Sequence, residues 1–131
     1  MTGPLRLEVS PPLTDAALNA LFSGAWPGHT PTAFAPRLAR SLAWIAAFRG
    51  DRLVGYVNVA GDGGVHAFLL DTTVHPGERR RGLGTRLVEA ASGEAARLGA
   101  EWLHVDYEPE LAPFYAECGF GPTAAGLRRL R

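Results

Sequence analysis

From Leu5 to Val9 apolar and charged side chains alternate, the period-two pattern of a short half-buried strand, and Pro11-Pro12 ends it. Thr14 then stands at an N-cap position, with Leu13 before it and Leu18 placed for a hydrophobic staple. Leu18, Leu21, Phe22 and Ala25 recur at helical spacing, which predicts a first helix. Trp26-Pro27-Gly28-His29 breaks it, and a second, weaker helix falls within Pro31 to Leu42, with Pro36 disturbing its first turn. Two apolar runs, Ala43 to Arg49 and Arg52 to Ala60, flank the tight-turn pair Gly50-Asp51 and should form an antiparallel hairpin. Gly61 to Gly64 makes another turn into Val65 to Val74, the third strand of this meander. The pattern changes at His75. A loop containing Arg79-Arg80-Arg81-Gly82-Leu83-Gly84 opens a helix whose Leu83, Leu87, Ala91, Ala95 and Leu98 share one face and which Gly99 ends. Trp102 to Tyr107 reads as a buried strand, Glu110 to Cys118 as a short helix stopped by Gly119, and Phe120 to Arg131 as a final extended segment.

Strand, helix, strand requires a parallel pair, whereas everything before it is a tight-turned meander. The expected fold class is therefore α/β with a mixed, mostly antiparallel sheet and one parallel pair near the end. A chain of 131 residues makes one core, so residues 1–131 should form one domain. With 47% hydrophobic and 20% charged residues the composition is that of a globular protein. Thirteen basic residues balance 13 acidic ones, so no overall field draws the chain to nucleic acid or to an anionic membrane. Arg79 to Arg81 and Arg128 to Arg131 lack the interleaved aromatics of a nucleic-acid surface. Every basic residue is arginine, which excludes a lysine nucleophile. The lone Cys118 can form no internal disulfide, and Met1-Thr2-Gly3-Pro4 begins no export signal, so the expected location is the cytoplasm, with no membrane span.

The glycine loop carries the chemistry. A helix N-terminus exposes unpaired N–H groups and a partial positive charge, and glycines let phosphate oxygens approach the backbone. The stretch has no Walker-type lysine, and its preceding strand belongs to an antiparallel meander, which argues against a dinucleotide-binding domain. Arg79, Gly82 and Gly84, preceded by Val74-His75-Pro76, resemble the acetyl-CoA signature of the Gcn5-related N-acetyltransferases (GNAT). Phe114-Tyr115-Ala116-Glu117-Cys118-Gly119-Phe120 is similar to a second motif of that family, and the order of elements agrees over essentially the whole chain.

The resemblance implies a GNAT-like fold whose parallel strands, ending at Val74 and near Tyr107, splay around an acyl-CoA cleft. It implies that backbone groups of Thr72, Thr73 and Val74 pair with the pantetheine arm and that Arg79, Arg80, Arg81, Gly82, Leu83, Gly84 and Thr85 hold the pyrophosphate, with Phe114 beside them. The expected cosubstrate is acetyl-CoA, with no metal, and the expected reaction is direct attack on the thioester by a primary amine of a small molecule or peptide. The alternative is a non-catalytic acyl-CoA-binding or sensing domain. Three departures stand out: Glu108 replaces an asparagine common in the family, Phe68 and Leu70 are apolar where a base is usual, and the segment after Phe120 is short for the terminal strand pair. A stunted last strand, or one completed by a neighbouring subunit in a homodimer, follows from the last of these.

Tyr115 matches the family's acid that protonates the departing thiolate, and it reads otherwise as a core aromatic on a short helix. For the base the chain offers His104, Asp106, Glu108 and Asp71, and Asp71 can instead orient the backbone of Thr72 and Thr73. His104 and Asp106, two apart on one strand, should face the same way. They read equally well as a cleft pair or as a structural hydrogen bond. Cys118 reads as packing, and Trp26 and His29 lie in a loop that in the family covers the acceptor side, although they read equally well as a cap on the core. Asp106, Glu108 and Glu110 cluster without a neighbouring arginine, which favours a cationic amine as acceptor, although a solvated acidic turn accounts for the same residues.

Overall fold

The computed structural model describes residues 3–131. Five strands form one sheet in the order β1-β2-β3-β4-β5: β1 is Leu5–Val9, β2 Ala43–Arg49, β3 Arg52–Gly61, β4 His66–Val74 and β5 Trp102–Val105. The first three pairings are antiparallel and β4–β5 is parallel, so the fold is the expected mixed α/β type.

Helix α1, Asp15–Ala25, begins where the cap pattern places it, because the Thr14 hydroxyl accepts the Ala17 N–H at 3.1 Å. Helix α2, Ala35–Arg40, is shorter than the Pro31 to Leu42 window. Pro36 sits in its first turn, where no intrahelical N–H is needed, and the Asp15 carboxylate caps that turn through the N–H groups of Phe34 and Ala35. Helix α3, Leu83–Arg97, ends before Gly99 at φ +101°, and helix α4, Ala112–Glu117, follows a 3-10 turn over Pro109–Leu111.

Two apolar layers hold the sheet. On one face Leu83, Leu87, Val88, Ala91 and Ala95 of α3 and Tyr115 of α4 pack on Ile45, Ala47, Val57 and Leu69. A Cβ added at Gly55 would stand 3.0 Å from Leu87, so the missing side chain sets how closely α3 approaches β3. On the other face α1 and α2 cover β2 and β3 through Leu18, Leu21, Phe22 and Phe34 against Ala46 and Tyr56. That cover reaches the Thr73 end of β4 but leaves the earlier part of β4 and β5 open. Phe68 and Leu70, opposite Ala60 and Asn58 in the register, are each nearly half exposed, and Trp102 is more so.

A bulge in β4 decides the site. Tyr56 pairs with Thr73 and Asn58 with Leu70, so Val57 alone opposes both Asp71 and Thr72, and Asp71 takes a left-handed φ of +60°. The parallel pairing ends just before it, at Leu69 with Val105. Beyond that point β4 bends away and β5 has no partner to continue with. The strand expected over Trp102 to Tyr107 therefore stops at Val105, and Asp106 lies outside it. Residues 120–131 form no strand and are almost wholly exposed, so β5 is an edge of the sheet among the described residues.

Candidate active site

The splay opens a cleft of about 620 Å³. Its floor is Thr72, Thr73 and Val74 at the end of β4, one wall is the loop from Glu78 to Thr85, and Leu111, Phe114 and Tyr115 form the other wall. Ala25 and Trp26, where α1 ends, close one side. Every residue assigned to the cofactor from the sequence lines this cleft except Arg81.

The loop is shaped by its backbone. Arg80 and Gly82 both adopt left-handed φ, +64° and +78°, and Gly82 is the N-cap of α3. No side chain caps the helix, and its first bond runs from the Arg86 N–H to the Gly82 carbonyl at 3.1 Å. The N–H groups of Leu83, Gly84 and Thr85 are thus left without a partner among the described residues, at the positive end of a helix 15 residues long. Gly84 also lets α4 close in, since a Cβ there would stand 3.2 Å from the Phe114 ring.

Side-chain bonds fix the frame. Arg79 donates to the Ala25 carbonyl at 3.2 Å, joining the loop to α1. Trp26 Nε1 donates to the Thr73 hydroxyl at 3.0 Å, which donates in turn to the Asp71 carbonyl at 2.8 Å. Asp71 thus orients Thr73 through its carbonyl, while its carboxylate lies 3.8 Å from Arg37. Asn19 holds the rest of the α1–α2 loop, bonding Thr32 in both directions and the His29 ring.

Glu78 is the residue that sequence reasoning missed. Its side chain is 1% exposed and takes two bonds from Arg49 at the end of β2, at 2.8 and 3.2 Å. The Arg49 guanidinium holds its carboxyl below the usual carboxylate range against the opposing effect of burial. An acidic residue among arginines reads as surface, and the partner that buries it is 29 positions away.

Tyr115 is buried in an aromatic set, stacked on Tyr107 at 4.9 Å and met edge-on by Phe114 and Phe120. Cys118 packs nearby, and burial pushes its thiol up, away from nucleophilic use. The base candidates lie elsewhere. His104 bonds His66 at 2.8 Å and stacks on Phe68, in a second hollow of about 990 Å³ that it lines with Asp106 and Tyr107 along the β5 edge. His104 sits one residue before the last paired position and Asp106 one after it, beside the apex of the splay. Glu108 lines neither hollow; it is exposed, follows the tyrosine stacked on Tyr115, and its carbonyl begins the Pro109–Leu111 turn.

A helix N-terminus with free amides, set in a splay between parallel strands, is the arrangement the acetyltransferase resemblance implies, and residues 14–120 match the model of the acetyltransferase (GNAT) family. The chain belongs to the GNAT family. It is by family an acyltransferase. A GNAT protein from Streptococcus pneumoniae superposes with a TM-score of 0.84 at 23% identity, covering 98% of both chains. The aminoglycoside N-acetyltransferase AAC(6')-Iy, solved with a CoA-based bisubstrate analogue, gives 0.79 at 19% identity over 98% of this chain and 99% of its own. Glucosamine-6-phosphate N-acetyltransferase from Arabidopsis thaliana gives 0.72 at 14% identity over 95% and 97%. Likeness at these identities is likeness of fold.

Proposed function

We propose that this GNAT protein transfers the acetyl group of acetyl-CoA directly to a primary amine, on a small molecule or a peptide, and that the preferred acceptor is cationic. The observation that carries this is the uncapped N-terminus of α3 facing a cleft whose floor is a strand edge without a partner. A diphosphate needs several converging donors, and the amides of Leu83, Gly84 and Thr85 with Arg79 and Arg80 supply them. The β5-side backbone groups of Thr72, Thr73 and Val74, freed by the splay, fit a pantetheine arm laid down as an added strand. Acetyl-CoA supplies the activated thioester.

The remaining work falls to the chain. An alkyl ammonium with pKa about 10.4 is neutral in only about one molecule in 2,500 at pH 7, a deficit of roughly 4.6 kcal/mol, so the site must take up a proton. Glu108, His104 and Asp106 are the available acceptors, acting through water because none of them lines the CoA cleft. They stand at the splay apex and beside the Tyr107–Tyr115 stack, where an amine entering from the open face of the sheet would pass. The second hollow contains one carboxylate, Asp106, and no arginine, which suits an ammonium group. Backbone donors at the β4 bulge stabilise negative charge developing on the thioester oxygen, and Tyr115 gives its proton to the departing sulfur.

The test is thiol release from acetyl-CoA across a panel of cationic, neutral and anionic amines. Turnover with a cationic amine is expected; an anionic best acceptor contradicts the charge argument, and CoA binding without turnover would favour a sensing domain. With the best acceptor, Tyr115→Phe should leave the Kd of CoA unchanged and lower kcat by about 10², the scale of a general acid. Glu108→Gln should lower kcat/KM well beyond about twofold and flatten its acidic limb. Loss of CoA affinity alone would move Glu108 to the cofactor side.

A further inference from the structure

Beneath the phosphate loop lies a carboxylate, at first sight the wrong charge for that place. Glu78 closes the 3-10 turn Pro76–Glu78 that leads from β4 into Arg79, and it is a lining residue of the cleft. Its side chain turns inward instead of outward, onto Arg49, which is 19% exposed and also donates to the Gly3 carbonyl. Arg49 is fixed by the sheet, paired with Leu5 on one side and Arg52 on the other. A bidentate guanidinium–carboxylate bond has one geometry, so it transmits the position of the sheet to the turn. A buried carboxylate without its partner would be costly in itself and would oppose any anion held by the neighbouring amides.

We propose that Arg49 is a positioning residue for acyl-CoA: through Glu78 it seats the turn that opens the phosphate loop, and it cancels a buried charge that would otherwise repel the diphosphate. The proposal rests on the acyl-CoA reading of the cleft. The two residues then have unequal roles. Arg49 is needed because Glu78 is charged, whereas a neutral amide at position 78 could keep a hydrogen bond to Arg49 and would repel nothing. A merely structural pair makes the two removals alike.

The groups facing Glu78 are Arg49 from β2, Arg81 from the loop and His75 from the start of the turn, with Arg52 and Arg79 also close to His75. Burial, aided by these arginines, pushes His75 down, so a wild-type profile over the same pH range carries its contribution. Titration calorimetry with CoA on wild type, Arg49→Met, Glu78→Gln and the double variant between pH 8 and pH 6 makes the test, with circular dichroism to confirm folding. At pH 8 Arg49→Met should bind CoA at least about tenfold more weakly, and its affinity should recover towards pH 6 as Glu78 takes up a proton. Glu78→Gln should stay within about threefold of wild type, and adding it to Arg49→Met should restore most of the loss at every pH. In turnover the loss should appear in the KM for acetyl-CoA and not in kcat. Equal loss in both single variants, or a double variant no better than Arg49→Met, overturns the proposal. If Arg49→Met does not fold, Arg49→Gln takes its place with the same expected recovery. Wild-type protein that binds no CoA overturns the acyl-CoA reading and the proposal together, whereas tight wild-type binding unaffected by Arg49→Met overturns the proposal alone.

Discussion

The two hollows beside the end of β4 are built in opposite ways. The cleft proposed for CoA is framed by backbone: a bulge, two left-handed residues, an uncapped helix and a glycine against a phenyl ring. Bonds donated by Arg79 and Trp26, and those that Glu78 accepts from Arg49, tie that frame to the end of α1 and to β2. The β5 hollow is lined by side chains of the four-residue edge strand β5, by His66 and Phe68 of β4 and by the strandless stretch from Cys118 to Gly126, with Phe68, Trp102 and Tyr107 exposed. A cosubstrate shared by a whole family can be met by invariant backbone donors, whereas an acceptor that differs from member to member is met by replaceable side chains. The firmness of each half matches the constancy of what it would hold.

That contrast can be broken at several points. The largest effect should come from Gly84→Val, which drives a branched side chain into the Phe114 ring and separates α3 from α4; CoA affinity should fall by about 10² in calorimetry. Gly82→Ala meets nothing within 4 Å, so its penalty is the left-handed backbone alone, about 1–2 kcal/mol, and about tenfold in CoA affinity is expected. Equal losses at the two glycines would mean that packing against Phe114 does not shape the site.

Acid stability separates the halves in a different way. The folded-state pKa of Glu78 is depressed by Arg49, so its contribution is present above about pH 4.3, the unfolded carboxylate value, and is lost as pH falls through the lower folded value. Glu94 follows the same sign through Arg97 on α3. The decline in Tm between about pH 5 and pH 3 should therefore be shallower in Glu78→Gln than in wild type, with the Glu94 share remaining. A slope identical to wild type would show that the Arg49 bond does not persist in solution. The smallest effect belongs to the open half: Trp102→Ala should change stability by no more than about 0.5 kcal/mol and leave the Kd of CoA unchanged, while raising KM for the acceptor.

How much of this could be read from the sequence follows the same division. The helix of the phosphate loop was legible because Arg79, Gly82 and Gly84 stand at fixed spacing before an apolar stripe ending at Gly99. The Thr14 cap and the Gly50-Asp51 hairpin were legible because their causes are local. The bulge at Asp71 was not, since nothing in Phe-Leu-Leu-Asp-Thr-Thr announces an extra residue and only the register with β3 reveals it. The early end of β5 follows from that bulge, so the pairing of His104 with Asp106 on one strand misled, and His104 bonds His66 from the neighbouring strand instead. Glu78 and Arg49 stayed hidden because long-range ion pairs leave no local pattern.

On the proposed reading, backbone donors at the start of α3 and the freed edge of β4 receive CoA while the β5 hollow does not. Backbone amide shifts on a uniformly 15N-labelled chain titrated with CoA test this at residue level. The largest perturbations should fall on Arg79 to Thr85 and on Thr72 to Val74, with Trp102 to Val105 and the segment after Phe120 little changed. Perturbations concentrated along Trp102 to Asp106, with the Gly82 to Thr85 amides unmoved, would contradict the account.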